Sequence, residues 1–391
     1  MENAPPETPA RELFDRIKRF REAMIEAQTD ILIVTSRANF EYLTDHRTLS
    51  WAYQARPCFA VVTLGELIVV ASRAEARNIA RAERHFRTEV YDGFQAEAAL
   101  AVVKAVTAAD PGATAKVAID YGQDIMGRGS LELVDGLRGR GPKAQLVSAE
   151  SIVWRVRSIK SRFEAELKRR SFAIVNAAFD HVIAQARVGV TERALQRQLQ
   201  AQIILNGAER ADPIGMLFSR GDFVYSRPPS DRPLEPGHYL WTDFRSTFGG
   251  YPADRNRIAR CGEPESWEIA TYTSVRDVTI ALCRTIRPGQ TGGDIHRTFE
   301  RLWSDAALPP IYAAASRIGH GGGLEVTEPP SVAAWSEEPI SAGMILHLEP
   351  KLERDGAVFQ FEEVVFVRED GIEFLSELSP VCCPVIPAGQ P

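Results

Sequence analysis

The sequence predicts an α/β domain over residues 1–158 followed by an α+β domain over residues 159–391. Three observations predict this. The 391 residues suit two domains at roughly 150 residues each. Up to residue 158, strand-length apolar runs alternate with helical patterns, the texture of an α/β layer structure. From Asp212 the texture changes to a set of strands with carboxylates at or beside them, interrupted by two helical patterns.

The first domain reads as follows. Residues 1–9 are polar and Pro-rich and form a loose tail. Leu13, Ile17, Phe20 and Met24 recur at helical spacing and predict an amphipathic helix. Asp30 then precedes the apolar run Ile31–Val34, a buried strand. Strands are expected at 58–63 and 67–71, joined by a turn at Gly65. Helical patterns at 73–84 and 95–109 alternate with strands at Lys116–Ile119 and 145–147.

The second domain opens with a long helical pattern over 162–187, after Lys160-Ser161. A further helix follows Thr191, a good N-cap residue. Strands are expected at 215–219, 238–242, 251–259, 344–348 and 359–367, with helices at 264–286 and 291–305.

Composition narrows the function. Hydrophobic residues make up 45% and charged residues 25%, the mix of a globular protein and not of a disordered chain. The net charge of −6 argues against a nucleic-acid or anionic-membrane partner. The apolar runs are too short to span a bilayer, and the polar N-terminus does not resemble a secretory signal. The five cysteines, Cys58, Cys261, Cys283, Cys382 and Cys383, lack CxxC spacing. An odd count of that kind fits neither a disulfide framework nor a thiolate zinc site, so a cytoplasmic location is expected.

Four carboxylates and one histidine stand out in the second domain. Asp243 closes the run at 239–242, and Asp254 lies eleven residues on, past Gly249-Gly250. A glycine pair between strands signals a hairpin, which brings the two aspartates close. His320 sits among glycines that permit close approach to a site. Glu349 ends the run at 344–348, and Glu362 lies within 359–367. Such a set suits two divalent cations per chain, drawn from manganese, iron, cobalt or zinc. Without a cation the carboxylates would repel one another. Paired metals lower the pKa of a bound water and polarise a carbonyl.

The ordered set Asp243, Asp254, His320, Glu349, Glu362 resembles that of the pita-bread metallohydrolases, which include methionine aminopeptidase, Xaa-Pro aminopeptidase and prolidase. Gly250-Tyr251-Pro252-Ala253-Asp254 with Arg257 is similar to the family's GYxxD…R segment. Residues 319–330, beginning Gly319-His320-Gly321 and ending Glu328-Pro329-Pro330, resemble its GHGxGLxxHExP segment. Gly343-Met344 through Glu349-Pro350 resembles GMxxxxEP, and Glu362-Glu363 before Glu369-Asp370-Gly371 resembles the final strand pair. In the first domain, Arg16, Phe20, Met24, Asp30-Ile31-Leu32, Asn39, Tyr42-Leu43 and Thr44 resemble the creatinase-type N-terminal domain. The resemblance implies a pita-bread C-terminal domain, a homodimer, and the five residues named above as metal ligands. Creatinase and ectoine hydrolase share the likeness but have lost most of that set.

Two departures bear on the substrate. Thr327 stands where the peptidases have the histidine of HExP. No histidine precedes Pro229-Ser230-Asp231-Arg232, where Tyr225-Ser226-Arg227-Pro228 stands instead. Those imidazoles help move protons to a poor amine leaving group. The expected activity is therefore hydrolysis of an amide or related C–N bond in a small molecule, metallopeptidase-like but weak on Xaa-Pro peptides. The alternatives are a metal-dependent lyase on a small carboxylate such as dimethylsulfoniopropionate, and a metal-free binding module.

Further roles are expected for a few residues. Glu349 would ligate metal and accept a proton. His347, two residues earlier, shares its face if the segment is a strand. It is then either a proton carrier or a histidine bonded to a carboxylate. Tyr225 and Thr327 would bind substrate or fill the space of the missing imidazoles. Trp51 and Arg56 would reach a partner subunit's site, or else be a packed tryptophan beside a solvated arginine.

Overall fold

A computed structural model describes residues 5–52, 55–82, 85–121, 130–141, 143–211, 213–311 and 316–388. Tyr53 and Gln54 of the Trp51–Arg56 loop, the last two residues of the 73–84 helical pattern, and Asp212 lie outside the described residues. The chain divides into two compact units, Glu7–Arg157 and Ser158–Pro391 with Met1–Pro6.

In the first unit, α1 (Ala10–Glu26) buries Leu13, Ile17, Phe20 and Met24, the residues whose spacing predicted it. The elements that follow are β1 (Ile31–Val34), α2 (Arg37–Thr44), β2 (Phe59–Thr63), β3 (Leu67–Ser72), α3 (Ala76–Ala82), β4 (Arg87–Tyr91), α4 (Gln95–Ala109), β5 (Lys116–Ile119), α5 (Leu131–Arg138), β6 (Gln145–Ser148) and α6 (Glu150–Arg157). They build one sheet in the order β4-β3-β2-β1-β5-β6. Strand β1 runs antiparallel to β2 and parallel to β5. Sequence patterning does not reveal α2, because residues Ala38 through Thr44 are all buried and so show no polar face. The Ser36 hydroxyl caps it by accepting from the Asn39 N–H. Strand β4 escapes notice because it is a polar edge strand with only Tyr91 buried.

The second unit contains α7 (Arg162–Gln185), α8 (Glu192–Leu205), β7 (Ile214–Ser219), β8 (Tyr239–Phe248), β9 (Tyr251–Cys261), α9 (Ser266–Thr285), α10 (Gly292–Asp305), β10 (Gly319–Gly321), β11 (Glu328–Val332), β12 (Ile345–Leu348), β13 (Lys351–Arg354), β14 (Ala357–Gln360), β15 (Glu363–Arg368), β16 (Gly371–Phe374) and β17 (Val385–Ile386). Ser161 and Glu164 form a capping box that starts α7, and Thr191 caps α8. The strands make sheets ordered β17-β9-β8-β7 and β11-β10-β12-β15-β16, plus the hairpin β13–β14.

Both large sheets are apolar on both faces. Phe218, Leu240, Phe244, Val364 and Phe366 join one core with Phe172 and Phe179 of α7. Their neighbours in sequence, Leu217, Tyr239, Trp241, Val365 and Val367, join a second core with Tyr272 of α9 and Phe299 of α10. Helices on both sides explain why these strands read as continuous apolar runs. Two expectations need correction. The run at 238–242 continues as β8 to Phe248, so Asp243 lies mid-strand and does not close it. The run at 359–367 is not one strand: it breaks at Phe361-Glu362, between β14 and β15. The break frees Glu362 from the ladder, and the Arg255 guanidinium takes up its carbonyl.

Phe244 is fully buried and stacks on Phe179 at 5.7 Å between ring centroids. Phe244→Ala is expected to cost about 3–5 kcal/mol. A urea denaturation curve checks this, and an unchanged midpoint would mean that the α7–β8 contact carries little of the stability.

Candidate metal centre

The β8–β9 hairpin turns at Gly249 and Gly250, whose φ angles are +59° and +80°. Both fall in the region that favours glycine, as a tight hairpin turn requires. Its register pairs Asp243 with Asn256 and Arg245 with Asp254. Side chains two apart on a strand share a face, so Asp243, Arg245, Asp254 and Asn256 all project to one side.

Strand β10 lies between β11 and β12, and His320 pairs directly with His347 across β10–β12. Their rings stack at 4.9 Å and 15°. The glycines around His320 serve this approach. A Cβ on Gly319 would come within 2.2 Å of the His347 carbonyl, and one on Gly322 within 2.6 Å of His347 Nε2. Glu349 follows β12, and its N–H donates to the Ile318 carbonyl at 2.8 Å.

The side chains converge. His320 Nε2 lies 3.4 Å from Glu349 Oε1 and 3.8 Å from Asp254 Oδ2. His347 Nδ1 lies 2.6 Å from Glu362 Oε1. Asp254, His320, His347 and Glu362 each offer a ligand atom, all within 4.8 Å of one another. Asp243 projects from the same hairpin face and shares the electrostatic field of Asp254 and Glu349. The five residues expected as ligands therefore meet in one place, with His347 as a sixth member.

Burial, followed by the charges of Asp254 and Glu349, pushes the carboxyls of Asp243 and Glu362 well above the usual range. Burial opposes ionisation of Glu349 too, but the His320 contact and the Lys351 charge hold it below that range. Burial drives His347 far below the ordinary histidine value, with Lys168 and His320 adding to it. Burial thus favours the neutral form of His347, whose Nδ1 is hydrogen-bonded to Glu362 Oε1. Asp243 Oδ1 and His347 Nε2 are buried with no hydrogen-bond partner among the described residues. Buried polar atoms are normally paired. Divalent ions would offset the carboxylate charge and give Asp243 Oδ1 a partner, so the donor set fits them.

Three residues of the site were missed in the sequence. The Arg245 Nε–H donates to Asp254 Oδ1 at 3.1 Å. The Lys351 ammonium lies 3.9 Å from the centroid of the Tyr225 ring and 4.9 Å from that of Trp241, and burial lowers its pKa to about 8. Gln360 donates from Nε2 to Glu349 Oε2 at 3.1 Å and accepts from the Trp241 indole at 2.8 Å. Each stands two residues from an expected ligand: Arg245 from Asp243, Lys351 from Glu349, Gln360 from Glu362. Period-two alternation was the available signal.

The expected substrate contacts separate. Tyr225 lines a cavity of about 400 Å³ with Arg227, Pro228, Trp241, Asp243 and Arg245. Thr327 is exposed and accepts weakly from Arg317 at 3.5 Å. Trp51 and Arg56 belong to the first unit. Trp51 is buried edge-on to Phe40 at 5.4 Å, and Arg56 is exposed over the Phe94 ring at 5.3 Å.

Residues 166–369 match the metallopeptidase family M24, and residues 16–159 match the creatinase/prolidase N-terminal domain. The uncharacterized peptidase YqhT of Bacillus subtilis is 27% identical over 236 residues, 58% of this chain and 65% of that one. The probable dipeptidase PepE of Mycobacterium tuberculosis is 28% identical over 233 residues, 58% of this chain and 60% of that one. The matched region thus spans less than two thirds of these relatives' length. The solved structure of an Xaa-Pro dipeptidase from Bacillus anthracis superposes with a TM-score of 0.81 at 19% identity, covering 95% of this chain and 99% of that one. That likeness shows a shared two-domain fold.

Because Asp243 and Glu362 hold protons more tightly than ordinary carboxyls, metal binding must displace protons. Titration calorimetry of metal-stripped protein with Mn²⁺, at about pH 6 in buffers of different ionisation enthalpy, is expected to show proton release. Apparent affinity should rise with pH. A heat independent of buffer would mean that the carboxyls are already ionised in the metal-free centre.

Proposed function

The chain belongs to metallopeptidase family M24, and on that footing we propose that it is a metal-dependent hydrolase of an amide or related C–N bond in a small molecule. The observation that carries the reading is the pair of unpartnered buried atoms, Asp243 Oδ1 and His347 Nε2, within a converging carboxylate cluster. Asp243, Asp254, His320, Glu349 and Glu362 would hold up to two divalent ions per chain, manganese and iron suiting the oxygen-rich set. When bound, such ions polarise a carbonyl and acidify water.

The chain's own groups have distinct tasks. Glu349 is ionised, and the Gln360 amide and His320 ring fix its two oxygens, so it is placed to accept a proton from an attacking water. The His347–Glu362 pair holds one proton out of reach of bulk solvent, since both side chains are buried. Tyr225 keeps its phenolic proton, its pKa raised to about 12 by burial and then by Asp243, and so offers a hydrogen bond to substrate. Thr327 carries no group that titrates near neutrality. We also propose a homodimer in which the exposed Arg56 contributes to substrate binding while the buried Trp51 packs the base of its loop, and a cytoplasmic location. Among the described residues, no helix is long and apolar enough to cross a membrane.

Xaa-Pro dipeptides are expected to be cleaved slowly even with excess Mn²⁺ or Fe²⁺, short by the ~10²–10⁴-fold that acid–base assistance supplies. A panel of such peptides and of small N-acyl compounds in ¹⁸O-water tests the reading. Solvent label in the acid product supports hydrolysis, and turnover without label points to elimination. A peptide kcat/KM of about 10⁴ M⁻¹s⁻¹ or more would restore an ordinary peptidase.

Light scattering on the full chain is expected to give a dimer. Arg56→Ala should raise KM and leave the metal content unchanged. A monomer, or unaltered KM, would remove this loop from the site.

A further inference from the structure

The two sides of the centre are chemically unequal. On one side, Asp254, His320, His347 and Glu362 bring two imidazoles and two carboxylates together within 4.8 Å. On the other side lies Asp243, accompanied by two fixed cations. Arg245 shares its strand face, and the Lys351 charge reaches both Asp243 and Glu349.

Asp254 stands between the two sides. Its Oδ2 faces His320 at 3.8 Å, and its Oδ1 accepts from Arg245 Nε at 3.1 Å. A second ion that used this Oδ1 would have to share it with, or displace, the guanidinium. Glu349 is divided likewise: Oε1 faces His320 at 3.4 Å, while Oε2 accepts from Gln360 at 3.1 Å.

The charges agree with the geometry. Asp243, Asp254, Glu349 and Glu362 carry four negative charges when ionised. Arg245 and Lys351 offset two of them, and one divalent ion offsets the rest. A second ion would leave the buried site with an excess of positive charge, to which Lys168, close to Asp254 and Glu362, would add. An arginine in this place cannot shed its proton to make room.

We propose that Arg245, through its fixed charge and its hold on Asp254 Oδ1, weakens the binding of an ion at the position beside Asp243. The inference rests on the metal-binding part of the reading above and not on the reaction catalysed.

The test is metal stoichiometry. Metal-stripped full-length protein is dialysed against micromolar Mn²⁺ and analysed by elemental mass spectrometry. Wild type is expected to carry one Mn²⁺ per chain, with a second binding only at much higher concentration. Arg245→Ala is expected to carry two, its second Kd falling by about tenfold or more on loss of a fixed charge beside the ion. Arg245→Lys, which keeps the charge, is expected to stay near one. Arg245 is partly exposed at the cavity wall, and the melting temperature of each metal-free variant reports that it is folded. Lys351→Met is a second route, and should also tighten the second ion. Two ions in wild type at micromolar Mn²⁺ would overturn the inference and leave the metal-dependent reading standing. So would one ion in folded Arg245→Ala. Absence of Mn²⁺ from every folded variant would overturn both.

Discussion

The constraint on which this molecule depends is the repulsion among four carboxylates brought into one nearly dry space. Asp254 and Glu362 are almost wholly inaccessible, and Asp243 and Glu349 are only partly open. Ionised together without compensation they would destabilise the fold, so the surrounding structure supplies compensation at several levels. Burial favours the protonated form of two carboxyls, one is stabilised by an imidazole, and Arg245 and Lys351 stand close by. The remaining deficit is what a divalent ion would meet. The centre is thus an unfinished electrostatic structure, and the unpartnered Asp243 Oδ1 and His347 Nε2 mark where it is unfinished.

Holding such a cluster requires a rigid frame, and the two-core architecture of the second unit provides one. Strands β8, β12 and β15 each send alternate side chains into cores on opposite faces. A strand gripped from both sides has little freedom to move along or out of its sheet, which suits residues whose spacing must hold to within about 0.5 Å. The glycines around His320 are part of the frame, since a Cβ on Gly319 or Gly322 would force β10 away from His347.

Much of this was legible in the sequence because the signals were local. The glycine pair at 249–250 marked the hairpin that joins Asp243 to Asp254, and the spacing of Leu13, Ile17, Phe20 and Met24 marked α1. The obscure parts were those where tertiary context overrode pattern. Helix α2 is buried nearly all round, so no amphipathic period betrays it. The break at Glu362 interrupts an apolar run that looks continuous. Arg245 and Lys351 were passed over because a charged residue within a strand usually faces solvent. Only the hairpin register and the course of β13 turn them inward.

The placement of Arg245, Lys351 and Gln360 has an evolutionary consequence. Arg245 shares β8 with Asp243, and Lys351 and Gln360 each lie two residues from a carboxylate across a strand end, so one backbone segment presents a carboxylate and a neighbouring polar group side by side. The carboxylate can stay fixed while its neighbour is exchanged, with no shift of register. A scaffold of this kind can drift between chemistries through its intervening positions alone. Proteins with the same four carboxylates and histidine can therefore carry different electrostatic settings, and similarity scored on those five residues would not register the change.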